Sequence, residues 1–176
     1  DANACVVCGI GRYQGDKGQT SCLPCIPGQY QDEQGRISCK DCEKNAYQPK
    51  SNATKCIPVQ EGFYQSGPTS EVECPAGKAG RGGNATCHDC KVGSYQDLSG
   101  NTTCRECPSG FGNKAKGSTA CNGVPPGSYS WNGEVRECKA GHYCTGEAVN
   151  QTACNPGSYA TRPKSISCIE CAPGTY

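Results

Sequence analysis

The feature that most constrains this chain is a cysteine motif that recurs along its whole length. Each copy reads Cys-x-x-Cys-x-x-Gly-x-Tyr, then a turn containing Gly or Asn, then Ser or Thr before the next Cys. The step is usually 17 residues, and eleven copies align with one another. Periodicity of this kind is typical of repeat proteins whose units contact mainly their neighbours. It predicts an array of about eleven short units that fills residues 1–176.

The alignment of the copies gives approximate unit boundaries. They are 5–21, 22–38, 39–55, 56–70, 71–86, 87–103, 104–120, 121–134, 135–150, 151–167 and 168–176. All 9 Tyr occupy one motif position, which favours a structural role in covering the neighbouring disulfide and glycine backbone. A tyrosine strip that binds carbohydrate or protein is the alternative.

The composition excludes an ordinary hydrophobic core. Among 176 residues there are 18 Cys and no Met, and Val, Ile, Leu and Phe together only equal the cysteines in number. Cross-links therefore have to supply the stability that a small apolar core cannot.

An even number of regularly spaced cysteines in a chain with 2 His is typical of secreted, oxidised proteins, so we expect an extracellular location. A net charge of +1 argues against nucleic acid or an anionic membrane as partner.

The residues around each Tyr predict a small irregular hairpin. The segment Gly28–Gln31 reads as extended, and a β-prone return limb such as Thr102–Cys104 follows the turn. Prolines interrupt every run and no apolar stripe of period 3.6 persists, so we expect no helix. Five residues after the Tyr position the backbone should have positive φ, which Gly and Asn adopt most easily. These turn residues are Gly18, Gly35, Asn52, Asn84, Gly100 and Gly117.

The predicted fold is therefore a small disulfide-rich, mainly β or irregular structure. We expect an elongated, solenoid-like rod of short hairpin repeats with no conventional hydrophobic core.

Two pairs of incomplete copies indicate how the cysteines pair. Val59 and Glu71 stand where two cysteines are missing, and Val124 and Val135 repeat the same joint loss. If the second Cys of each copy pairs with the first Cys of the next, each joint loss removes one bridge and leaves no thiol unpaired. The rule gives Cys8–Cys22, Cys25–Cys39, Cys42–Cys56, Cys74–Cys87, Cys90–Cys104, Cys107–Cys121 and Cys154–Cys168.

Four further cysteines fall outside this simple rule. Copy 10 has Gln151 at its first cysteine position, so Cys138 has no partner there. We expect it to form a disulfide with an additional cysteine, Cys144. Cys5 and Cys171 are left open-ended. We expect them to pair with further copies of a longer parent chain, or head to tail with identical segments.

Three stretches carry a family resemblance. Cys74 to Gly77 (Cys-Pro-Ala-Gly), Cys107 to Phe111 (Cys-Pro-Ser-Gly-Phe) and Cys171 to Tyr176 (Cys-Ala-Pro-Gly-Thr-Tyr) resemble the tandem ephrin-receptor-like cysteine-rich repeats. They are also similar to the first loop of tumour necrosis factor receptor modules, which are EGF-like in the broad sense. The resemblance covers all 176 residues and implies an extracellular array, as in receptors and in large surface and filament proteins of protists and algae. The short crossed cysteine pairs of the tumour necrosis factor receptor module are missing, so its ligand mode is not carried over.

The sequence offers little for catalysis or metal binding. Paired Cys-x-x-Cys motifs separated by 13 residues also have zinc-ribbon spacing, but copies 4, 5, 8 and 9 cannot complete a tetrad. We therefore expect no metal, no cofactor and no enzyme activity. His88, between Cys87 and Cys90, reads as a solvent-facing spacer. The lone Trp131 reads either as a contact residue or as a filler beneath an unbridged loop.

Four Asn-x-Thr sequons fall at or just beyond the predicted hairpin tips, at Asn52, Asn84, Asn101 and Asn150. We expect N-linked glycans there. The leading functional hypothesis is a structural segment of a glycosylated filament, an appendage shaft such as a mastigoneme, or a cell-surface stalk. Its partners would be flanking repeats, copies of itself or other surface subunits. The alternative is a receptor ectodomain whose repeats bind a ligand.

Overall fold

The computed structural model describes residues 5–81 and 86–176, and within them all regular structure is β. The strands form ten two-stranded antiparallel hairpins. They are β1 Arg12–Tyr13, β2 Leu23–Pro24, β3 Gln29–Tyr30, β4 Lys40–Asp41, β5 Ala46–Tyr47, β6 Ile57–Pro58, β7 Phe63–Gln65, β8 Glu71–Glu73, β9 Lys78–Ala79, β10 His88–Asp89, β11 Ser94–Tyr95, β12 Arg105–Glu106, β13 Phe111–Gly112, β14 Asn122–Gly123, β15 Ser128–Trp131, β16 Glu134–Glu137, β17 His142–Tyr143, β18 Thr152–Ala153, β19 Ser158–Tyr159 and β20 Ile169–Glu170. The described ranges hold no helix that could cross a membrane.

One register is common to all ten hairpins. The residue at the Tyr position always pairs with the residue that directly follows the first cysteine position of the next copy, as in Tyr30 with Lys40. The hairpins whose strands no disulfide joins keep this register, with Tyr64 opposite Val72, Tyr129 opposite Arg136 and Tyr143 opposite Thr152. The residues before Val72 and Arg136 therefore occupy cysteine positions, as the alignment of the copies predicts.

The left-handed turn residues follow the motif. Gly18, Gly35, Asn52, Gly100 and Gly117 have φ between +59° and +73°, which confirms the prediction at these positions. Asn84 lies outside the described residues. The glycine of the Gly-x-Tyr triplet also has positive φ in every copy where it occurs, and Asn45 takes its place in copy 3 with φ 67°.

Two details of the hairpin prediction are wrong. Gly28 is a left-handed turn residue, and the extended segment begins after it, at Gln29. The return strand follows the first cysteine position: it is Arg105–Glu106, whereas Thr102–Cys104 belongs to the turn. The reason is that the Thr103 carbonyl accepts a side-chain hydrogen bond from Gln96 (2.7 Å), so it closes the turn and takes no part in strand pairing.

Two of the three hairpins whose strands no disulfide joins have longer strands. All bridged hairpins have strands of two residues, whereas β7 and β8 have three residues each and β15 and β16 have four. Asn132 and Gly133 join β15 to β16 with φ of 49° and 74°, as in the type I′ turns favoured in two-residue hairpin loops. Additional strand pairing thus takes the place of the cross-link in these two hairpins, whereas β17 and β18 keep two-residue strands although Cys138–Cys144 spans β17 alone and does not join the two strands.

The chain divides into two compact units. The first contains the described residues up to Cys74 together with those of Gly80–Cys87 and Gly100–Thr102. The second contains Pro75–Ala79, His88–Ser99 and Thr103–Tyr176. In each unit the buried side chains are mainly those of the second cysteine position and of the residue that follows Tyr.

Candidate functional site

The disulfides are the most regular feature that the motif builds. The structure places sixteen cysteines in eight bridges, which are the seven that the pairing rule gives and the separately assigned Cys138–Cys144. The Cα atoms of Cys138 and Cys144 lie 6.3 Å apart, compared with 5.6–5.8 Å in the other seven bridges. All these separations fit disulfide geometry. Cys5 is exposed, and neither it nor Cys171 is bridged.

Where a bridge is missing, other side chains occupy its place. Val59 is 5% exposed and Val124 is 2% exposed, so both fill buried second-cysteine positions. At the opposing position, the Glu71 carboxylate accepts hydrogen bonds from the Gln60 backbone N–H (2.9 Å) and from Gln60 Nε2 (3.0 Å). Burial and a hydrogen bond with Glu71 raise the pKa of Tyr47. Glu71 therefore ties together chain segments that a disulfide joins elsewhere.

Neighbouring copies are joined by backbone hydrogen bonds of two kinds. In the first, the glycine of the Gly-x-Tyr triplet donates to the carbonyl of the residue after Tyr in the next copy, as Gly28 does to Gln48 (2.7 Å). In the second, the turn residue of one copy donates back to the second cysteine of the preceding copy, as Asn52 does to Cys25 (2.9 Å). Both contacts depend on main-chain atoms, so they recur although the side chains differ.

The triplet glycine also contacts the copy after next, and we call this contact the glycine junction. A Cβ atom on Gly28 would lie 2.9 Å from Cβ of Pro68, and one on Gly62 would overlap the Gly100 carbonyl. The remaining junctions join Gly11 to Asn52, Gly77 to Gly117, Gly93 to Asn132, Gly110 to Glu147 and Gly127 to Lys164. Glycine is therefore required for close backbone packing as well as for its positive φ.

The residue directly after Tyr, which we call the latch residue, was missed by the sequence reasoning. Gln31 is 2% exposed; its Nε2 donates to the Ser38 carbonyl (2.7 Å), and its Oε1 accepts from the Glu33 N–H (3.0 Å). The same pair of bonds closes the turn at Gln48 and Gln96. Recurrence of Gln after Tyr was the signal, since five copies carry it.

The sequon residues differ in exposure. Asn52 and Asn150 are exposed at turns, whereas Asn101 is half-buried and its carbonyl accepts a hydrogen bond from Gly80 (3.0 Å). Asn84 lies outside the described residues. The structure therefore presents the Asn52 and Asn150 side chains to solvent most openly.

A groove beside Trp131 lies within the second unit, and we call it the Trp131 groove. Its volume is about 720 Å³, and its walls include Lys91, Glu106, Glu134, Arg136 and Asn150. Trp131 ends β15, pairs across the hairpin with Glu134 and is 47% exposed. The Glu134 carboxylate accepts from Arg136 (2.9 Å) and holds the pKa of Arg136 above its usual value. Lys91 and Glu106 form a second ion pair across 3.8 Å. The groove thus combines a flat aromatic surface with paired charges.

No group of three or more His, Cys, Asp or Glu side chains in residues 5–81 and 86–176 could hold a metal ion. His88 is exposed on β10 and His142 is half-buried on β17, so the two imidazoles belong to different hairpins.

Comparison with known families agrees with the repeat architecture. A family model described as tyrosine-protein kinase ephrin type A/B receptor-like matches residues 1–38, 16–55 and 77–122, which together cover more than half of the chain. No curated protein matches the chain significantly.

Proposed function

Because this chain belongs to the ephrin type A/B receptor-like family of cysteine-rich repeats, we propose that it is a structural segment of an extracellular filament, appendage shaft or cell-surface stalk. Its disulfides and its family both indicate an extracellular protein. The finer proposal, of a load-bearing segment like that of a mastigoneme, depends on how the disulfides connect along the chain.

The observation that supports this proposal is a covalent path through consecutive disulfides that bypasses the hairpin loops. The bridges Cys8–Cys22, Cys25–Cys39 and Cys42–Cys56 follow one another with only two residues between the end of one and the start of the next. Tension along residues 8–56 therefore passes through the disulfides and the short linkers, and each 13-residue loop between bridged cysteines carries none of it. A segment of this kind resists extension even when its hairpins open.

Cys5 and Cys171 would continue this covalent path. Neither is bridged, so we propose that they pair with flanking repeats of the same parent chain or head to tail with identical segments. N-linked glycans at the sequons would coat the segment and protect it from proteases.

Immunogold electron microscopy of native cells tests the proposal. Antibodies raised against residues 1–176 should label filaments, appendages or stalks along their length, and the label should survive detergent extraction of the membrane. Label confined to the plasma membrane and removed by detergent would contradict the proposal and favour a receptor ectodomain. Pulling single molecules tests the covalent path itself, because the oxidised chain should lengthen far less than the reduced chain.

A further inference from the structure

We propose that the N-linked glycan on Asn150 folds back into the Trp131 groove and stacks on the Trp131 indole. This inference rests on the proposed glycosylation of an extracellular protein. Asn150 and Thr152 of the sequon are both exposed, so the acceptor amide is open to solvent. Asn150 also forms part of the wall of the Trp131 groove. A glycan attached there therefore begins at the wall of the groove.

Strand pairing brings the sequon and the indole together. Tyr129 and Ala148 form a parallel β-bridge, and the Ser130 N–H donates to the Ala148 carbonyl (2.7 Å). Trp131 and Asn150 each follow their bridge residue by two positions. Both residues consequently face the same groove although 18 residues separate them in the sequence.

The walls of the groove match the chemistry of a sugar. One face of a pyranose ring presents C–H groups, and an aromatic ring that is partly open to solvent, such as the 47% exposed Trp131, is a suitable surface for it. Hydroxyl groups at the edge of the sugar would meet the paired charges of Glu134 and Arg136. Val149 is 49% exposed on the same wall and offers an apolar contact for the methyl group of N-acetylglucosamine.

Attachment favours the chain's own glycan over a free ligand. A covalently linked sugar has an effective concentration on the order of millimolar near its attachment point, so even a weak stacking contact is populated. The groove volume of about 720 Å³ also lies within the usual range for small-ligand sites. The sequon at Asn52 provides a matched comparison, because Asn52 belongs to the other unit and is not part of the groove wall.

Tryptophan fluorescence tests this inference directly, because the chain contains a single Trp. The full chain would be secreted from eukaryotic cells, the occupancy of each sequon measured by mass spectrometry, and the emission quenched with acrylamide. Thr152→Ala removes the glycan acceptor signal and retains Asn150. If a sugar covers one face of the indole, Thr152→Ala should raise the quenching constant roughly twofold and shift the emission to longer wavelength. Asn150→Gln should do the same, and Asn52→Gln should change neither value.

The outcomes separate this inference from the proposed function. If no sequon is occupied, the glycosylated filament and the glycan contact are both wrong. If Asn52 or Asn101 carries a glycan and Asn150 does not, only the glycan contact is wrong. The same holds if Asn150 is occupied and the quenching constant is equal in wild type and Thr152→Ala.

Discussion

Substitution of a junction glycine is the sharpest test of how the copies hold together. Copy 4 contains two glycines with the same φ of 82°, Gly62 and Gly67. A Cβ atom on Gly62 would overlap the Gly100 carbonyl, whereas a Cβ atom on Gly67 would meet nothing within 4 Å. Gly67→Ala is thus a matched control that carries the cost of a left-handed alanine without a steric clash.

The structure sets the expected sizes of the two effects. A left-handed alanine costs about 1 to 2 kcal/mol in both variants. Gly62→Ala adds overpacking against backbone, which costs about 1 to 3 kcal/mol more because a carbonyl cannot move aside as a side chain can. That excess corresponds to a local opening constant about 5- to 150-fold larger.

Amide hydrogen exchange measures this excess at the junction itself. The Gly62 N–H donates to the Gly80 carbonyl (2.8 Å), and the Gly100 N–H donates to the Cys74 carbonyl (2.8 Å). Exchange at both amides should be at least about fivefold faster in Gly62→Ala than in Gly67→Ala, with the disulfides intact. Equal exchange rates in the two variants would refute the idea that glycine is required there for packing.

Three further predictions concern the cross-links and the latch. The double variant Val124→Cys with Val135→Cys should form a ninth disulfide worth roughly 3 kcal/mol, because the common hairpin register places these residues at cysteine positions. Thiol titration should then find no more free thiols than in wild type, and two additional thiols would contradict the register. Alkylation of the native parent protein without reduction should leave Cys5 and Cys171 unmodified, and modification of both would contradict their proposed pairing. Gln31→Leu should lower the free energy of unfolding by about 1 to 3 kcal/mol, since it removes two hydrogen bonds between the buried side chain and the turn backbone, each worth about 0.5 to 1.5 kcal/mol, and an unchanged denaturation midpoint would disprove the latch role.

The cysteine pairing was predictable because the chain contains its own set of aligned copies. The losses at Val59 with Glu71 and at Val124 with Val135 specify which cysteines belong together, and no knowledge of packing is needed. Positive φ at the turns was predictable for the same reason. Gly or Asn recurs at one motif position, and both adopt positive φ more easily than other residues.

Contacts between copies were not predictable from the motif. The junction between Gly62 and Gly100 joins residues two copies apart, and the reason for glycine there is a carbonyl oxygen that no pattern within one copy reveals. The Trp131 groove is a similar case. Trp131 was identified as one possible contact residue, but the walls that make a groove come from loops of several other copies.

The glycine junction also determines how far a disturbance spreads along the sequence. In a repeat protein with contacts only between adjacent copies, the boundary between folded and unfolded copies costs one interface. Here a boundary also breaks second-neighbour contacts, such as that of Gly77 with Gly117. Opening an interior copy removes its contacts with two copies on either side, so stability is shared over about five consecutive copies. Gain or loss of a whole copy preserves the spacing between the residues that make these contacts. A one-residue insertion in a single turn displaces that turn from its contacts with the two preceding copies.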